Sequence, residues 1–462
     1  MSSSRTTQRR TARQHVGNRR IWQPDAVFML SVYVVLLCVI PSGLTITVLA
    51  SLGWPSLLWG LLLAFWWAVH QLMVVSRPVE HPSQPVRLVF AGLVLVALVS
   101  FAAAMLRGQP VDQVSPAMTS LLRLVSLGGV LFVAVDGIRT LEELRRLVNV
   151  LVVVVSLVAV LGLAQFVTGQ EIIDAITIPG MSVNESGGAQ VRGAFVRAVG
   201  TAINPLEYAA LLCMVFPFAL AFALRTRPGP RLSFARAVRL LPLALISIAT
   251  LISASRSALL GLLVAIVGML PALSRKLRTG VVIGGLMLAA IVMVAVPGMF
   301  STMLAQFVEV DDDPSAQSRT NALAKLPDFI AASPFVGTGF GTFLSRYYIF
   351  DNAWALWTIE LGILGLVGLL SLVCCAMWSA FHARTVTDDP EIRLLGQAAG
   401  VSVLTAAVIF AGFDGFSFPI SSGLFFVCVG LCAAVRSVAA FDAAAKAGGP
   451  VGDLAEDHEI RS

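Results

Sequence analysis

The sequence predicts an all-α polytopic membrane bundle of about twelve transmembrane helices, with a large extracytoplasmic loop before the tenth. Three observations predict it. Hydrophobic residues make up 57% of the 462-residue chain and charged residues 13%, with a mean hydropathy of +0.86, outside the range of a soluble domain. Apolar runs long enough to cross a hydrocarbon core of about 30 Å recur throughout, separated by short polar breaks. Arginine and lysine gather in alternate breaks, as expected of loops kept on the cytoplasmic side.

Taken in order, the spans fall near 25–42, 56–75, 87–106, 115–135, 146–167, 205–224, 240–255, 257–273, 281–298, 352–376, 394–413 and 419–436. The seventh and eighth follow from a length argument. Leu240 to Leu273 carries no charge except Arg256, and as one helix these residues would extend about 51 Å. The run therefore folds into two short spans, with Ser253, Ser255, Arg256 and Ser257 at the turn. With the basic tail 1–24 inside, this count puts Arg77 and Arg87, Arg139, Arg145 and Arg146, Arg225 to Arg239, Arg275 to Arg278, Arg384 and Arg393, and the C-terminal tail in the cytoplasm. Residues 25–436 form the membrane domain, and 1–24 and 437–462 read as disordered cytoplasmic tails. The N-terminal basic region leads into a full-length span rather than a short apolar core with a cleavage site, so no cleaved leader is expected.

A net charge of +6 is accounted for by tails and cytoplasmic loops, which implies membrane lipids as partners and no nucleic acid. The six cysteines lie in apolar spans and read as small hydrophobes, without disulfides. None of the five histidines reaches the outer face, which excludes a histidine zinc site there. Asp311, Asp312 and Asp313 read as a solvated loop. No metal and no cofactor is expected.

The outer face carries two long segments, about 168–204 and 298–351, and long loops mark the working side. Arg107, Arg192, Arg197, Arg256, Arg319, Lys325 and Arg346 depart from the positive-inside pattern. A guanidinium near the membrane boundary either snorkels onto loop carbonyls or binds an anion, for which its planar fork suits phosphate oxygens. In SRTNALAKLPDFIAASP, Ala322, Leu323, Leu326, Phe329 and Ile330 share one helical face, Ser318 is a candidate cap and Arg319 lies in the first turn. Pro327 is expected to kink or end this helix. GTGFG, Gly337 to Gly341, reads as a flexible turn. In DNAWALWTIELGILG, Asp351 and Asn352 are favoured N-cap residues, whereas Glu360 is an ionisable group inside a span, where such groups are usually functional or paired.

These motifs resemble the O-antigen ligase and O-antigen polymerase superfamily of membrane glycosyltransferases over residues 25–436. RAVGTAINPLEYAALL, SRSALLG, and the block SRTNALAKLPDFIAASPFVGTGFGTF with DNAWALWTIELGILG carry the resemblance. Family members show His-Asn, nine residues, then Gly-x-x-Gly. Here Asn352 is followed at that spacing by Gly362 and Gly365, with Asp351 in place of the histidine. The resemblance implies a multi-pass protein of the bacterial cytoplasmic membrane, with both termini in the cytoplasm. It would transfer or polymerise an undecaprenyl-diphosphate-linked glycan, in O-antigen or exopolysaccharide assembly, onto a glycan, lipid or protein acceptor at the extracytoplasmic face. It also implies that Arg256 and Arg319, with Arg197 as a third cation, hold the diphosphate. Asp351 is then the acceptor base or positioner, and Asn352 and Glu360 bind or position the acceptor.

The rival reading is a transporter or flippase of lipid-linked glycan. A transporter predicts internal repeats and midplane charges; the sequence shows no repeat, and its charges gather at the outer boundary.

Overall fold

The structure is a computed structural model that describes residues 25–73, 84–170, 178–184, 191–192, 195–225, 232–253, 255–298, 300–301, 304 and 314–446. Its helices are α1 (Ala26–Val39), α2 (Pro55–Met73), α3 (Pro85–Leu106), α4 (Val111–Gly137), α5 (Leu141–Thr168), α6 (Pro205–Leu224), α7 (Leu232–Ile252), α8 (Arg256–Met269), α9 (Arg275–Ala295), α10 (Pro314–Ala331), α11 (Ala353–Val386), α12 (Pro390–Ile409) and α13 (Pro419–Lys446). The protein is an all-α polytopic membrane protein. Among the described residues, nine helices are long and apolar enough to cross a bilayer. The first, seventh and eighth predicted spans coincide with shorter apolar helices, Ala26–Val39, Val238–Ile252 and Arg256–Ala272.

Local signals explain the helix starts. Asp25 caps α1 through the Val27 N–H, Asn204 caps α6, and Thr140 with Glu143 forms a reciprocal capping box on α5. Proline at the first turn opens α3, α6 and α12. The Leu240–Leu273 run breaks where the length argument requires, with Ser255 as the N-cap residue of α8 and Arg256 as its first residue. Helices α6 and α13 are central, each with 83% of its apolar window buried, whereas only 6% of the α9 window is. α11 packs against α3, α12 and α13, and α6 against α7, α8 and α12.

Each end of the bundle has its own bonding. At the predicted cytoplasmic end, Arg87 pairs with Asp136, while Arg145 and Arg225 converge on Glu391. At the other end, β1 (Leu44–Ile46) pairs antiparallel with β2 (Met181–Val183), a pairing that composition did not announce. Here the buried Glu207 of α6 joins three segments. It accepts from Ser42 Oγ at 3.1 Å, from the Ile203 N–H at 3.1 Å and from the Ile420 N–H at 2.8 Å.

Four expectations need correction. The last helix runs to Lys446, past the start of the tail expected to be disordered from 437. Alanine-rich sequence favours helix there, and Asp442 binds Thr387 and Lys446. Residues 1–24 and 447–462 and the aspartates 311–313 lie outside the described residues. α10 begins at Pro314 rather than at a Ser318 cap, and Pro327 stays inside it. Of its predicted apolar face, Ala322, Leu326, Phe329 and Ile330 join a cluster with Phe350, Ala355 and Ile359, but Leu323 is exposed. Cys374 is exposed and Cys375 half-buried, on a helix surface rather than in the core; all six cysteines are free.

The fourth correction concerns GTGFG, which is pinned rather than flexible. Inside α11, Gly362 takes φ 68° and ψ −168°, a conformation open to glycine almost alone, and the helix breaks. The freed peptide groups find partners in the preceding loop. Thr338 and Gly339 donate to the carbonyls of Ile359 and Glu360 at 2.9 and 3.0 Å, and Ile363 donates to the Pro334 carbonyl at 2.9 Å. The approach is so close that a Cβ on Gly337 would lie 2.1 Å from the Glu360 oxygen. Backbone groups released within an apolar bundle must be paired again, and this segment pairs them.

Candidate active site

Four pieces of chain converge at the loop-rich end: the start of α8, α10, the start of α11, and the turn between α12 and α13. The start of α11 is fixed by backbone and side chain together. Ala353 N–H donates to the Phe410 carbonyl at 2.9 Å, Trp354 Nε1 to the Ala407 carbonyl at 3.0 Å, and Asn352 caps the helix through the Ala355 N–H at 3.0 Å. Capping employs the Asn352 side-chain oxygen, so its amide nitrogen is the part left for a ligand. Asp351, one residue earlier, projects beyond the cap.

Arg319 lies one turn into α10, and its Nε is 4.0 Å from Asp351 Oδ2. The guanidinium side chain is 25% exposed, and Nε has no hydrogen-bond partner among the described residues. A Cβ placed on Gly412 would lie 3.6 Å from Ser257 Oγ and 3.9 Å from an Arg319 terminal nitrogen. Gly412 thus brings the first turn of α8, with Arg256 and Ser257, beside Arg319. Arg256 itself is half-buried. Arg197 is 9% exposed and sits on the stretch leading into α6, where Gln165 of α5 holds the backbone of Val199 and Gly200.

Glu360 is buried, and its Oε1 accepts from the Phe343 N–H at 3.3 Å. It fastens the end of the GTGFG segment over a cavity of about 340 Å³ between α4, α11 and the α12–α13 turn. Two charged residues lining that cavity were not singled out from the sequence. Arg123, on α4, stacks over Trp54 at 4.9 Å and donates to the Ser417 carbonyl at 3.1 Å. An arginine within a predicted span was the available signal. Asp414, in the turn, accepts from Ser417 Oγ. Burial pushes its carboxyl up to about 6, against the lowering effect of Arg123 and together with the repulsion of Asp351. Only its place in a glycine- and aromatic-rich turn, GFDGFSF, hinted at this role.

Residues 241–370 match the family model described as O-antigen ligase. This segment is similar to the O-antigen ligase family. It contains Arg256, Arg319, Asp351, Asn352 and Glu360, whereas Arg197, Arg123 and Asp414 lie outside it. No curated protein matches the chain. Among the described residues, no group of three or more histidine, cysteine, aspartate or glutamate side chains could hold a metal ion.

Proposed function

We propose that the protein is a glycosyltransferase of the O-antigen ligase and polymerase type, acting at the extracytoplasmic face on a glycan carried by undecaprenyl diphosphate. The supporting observation is the Arg319–Asp351 pair at 4.0 Å, beside the first turn of α8, inside the segment that matches the family. Breaking the anomeric C–O bond to the diphosphate leaves charge on the departing oxygen, and cations already in place stabilise that charge. Arg256 and Arg319 take this role, with Arg197 as a third cation.

The new bond forms between the anomeric carbon and an acceptor hydroxyl, whose proton passes to a base as lipid diphosphate leaves. Asp351 is that base, or orients the hydroxyl, since a carboxylate is competent for either task. Its side chain is 42% exposed, open to an incoming acceptor. Asn352 and Glu360 position it through the cap and the loop they secure.

The test is transfer in proteoliposomes from radiolabelled lipid-linked glycan. Arg256→Ala and Arg319→Ala are each expected to lower transfer by about 10²–10³ while the protein still inserts. Wild-type product from both variants would refute the reading. Movement of the lipid-linked glycan across sealed vesicles without new glycosidic bonds would favour a flippase instead.

A further inference from the structure

The cavity of about 340 Å³ lies at the small end of sites that enclose a ligand, with room for about one or two sugar rings. Its chemistry differs from that of the arginine cluster. Arg123 is the basic residue of the lining, and it is engaged by Ser417 and Trp54. Glu360 and Asp414 both line the cavity. Asp414 Oδ1 is shielded from solvent and has no hydrogen-bond partner among the described residues. Trp357 and Phe416, with ring centroids 4.7 Å apart, supply flat apolar wall, and Ser345 stands at the exposed rim. The polar lining thus mainly accepts hydrogen bonds. A fitting ligand brings many donors, presents an apolar ring face to the aromatics, and carries no anionic group.

The position matters as much as the lining. In the α12–α13 turn, Gly412 abuts Arg319 and Ser257, while Asp414, two residues on, lines the cavity. Asp351 is paired with Arg319 at 4.0 Å, and its charge also raises the Asp414 carboxyl that lines the cavity. A displacement at the anomeric carbon needs the attacking hydroxyl opposite the departing group. With the diphosphate at the arginines, a sugar held in the neighbouring cavity is the one placed to supply that hydroxyl.

We propose that this cavity is the acceptor-sugar subsite and that it takes a pyranose without negative charge, neutral or amino-substituted. The assignment rests on the proposed transferase reading for its role, though not for the sugar chemistry of the cavity.

The probes are the methyl glycosides of glucose, glucosamine and glucuronic acid, measured by saturation-transfer NMR on the full chain in nanodiscs, with radiolabelled undecaprenyl diphosphate binding measured in parallel. The first two glycosides are expected to bind and the glucuronide to bind about tenfold more weakly, the scale of one poorly screened like-charge contact. Ser345→Trp, which fills the rim, should weaken the first two by about tenfold and leave undecaprenyl diphosphate binding unchanged. Equal binding of all three glycosides, binding of none, or Ser345→Trp without effect on glycosides would overturn the proposal. If Ser345→Trp also loses the lipid, the charge preference of the wild-type protein decides alone. If glycosides bind as stated but undecaprenyl diphosphate does not bind the wild type, the lipid-diphosphate reading falls and the sugar cavity stands.

Discussion

Replacing Arg319 by alanine should lower the rate of glycan transfer by about 10²–10³, the range seen when one donor aimed at a developing negative charge is removed. A Coulomb estimate for a bound diphosphate gives the same scale. A unit charge about 4 Å from a phosphate oxygen is worth about 4 kcal/mol at the effective dielectric of a protein boundary, and the 25% exposure of the Arg319 side chain reduces that toward the lower half of the range. A second effect adds to the loss, because Asp351, 4.0 Å away, would face the diphosphate without its cation. Lysine keeps the charge but offers a point contact in place of a fork, so Arg319→Lys should fall between wild type and alanine. The assay is initial-rate transfer in proteoliposomes at matched protein content, with insertion checked by protease accessibility. Arg319→Ala within about threefold of wild type, a loss below 1 kcal/mol, would refute the assignment of leaving-group stabilisation to this side chain.

Asp351→Asn should retain more transfer than Asp351→Ala if orientation dominates, and equal loss in both would show that proton abstraction is its task. Gly362→Ala is expected to cost about 2–4 kcal/mol, because a Cβ there would lie 2.3 Å from the Phe335 carbonyl at φ +68°. Thermal unfolding in detergent reads this against Gly92→Ala, whose Cβ meets nothing within 4 Å; equal midpoints would contradict the helix break. Asp414 has a carboxyl raised to about 6 by burial, so the folded protein holds its proton above the ordinary carboxylate range. Stability from this group is therefore present at low pH and declines as pH rises from about 4 to about 6, by about 1.4 kcal/mol per unit. Asp414→Asn should lose that decline, seen as a wild-type minus variant difference in unfolding midpoint that changes below pH 6 and is level above it. A constant difference across pH 4.5–7.5 would show that Asp414 titrates normally.

Much of the bundle was legible because membrane spans obey length and hydropathy rules that need no tertiary information. The turn before Arg256 followed from the excess length of one apolar run, and the start of α11 followed from two capping residues in succession. Arg319 and Asp351 were readable as candidates, and their proximity came from tertiary packing. What escaped was long-range. Nothing local announces that Glu207 gathers Ser42, Ile203 and Ile420, or that β1 finds its partner more than a hundred residues away. The sequence GTGFG looks loose because glycine is permissive in isolation; its actual constraint is the broken helix against which it lies. Arg123 was overlooked inside an apolar run, although the rule that drew attention to Glu360 applies to it equally.

The pinned joint at Gly362 limits which parts of the loop-rich end can move. Between Pro334 and Gly339 the backbone shares four hydrogen bonds with α11, so peeling this stretch away would leave those peptide groups unpaired. A motion that pivots upstream of Ser333 would leave these bonds intact. Such a motion would move Arg319 with α10 and part α10 from Phe350, Ala355 and Ile359, while Glu360 keeps its place.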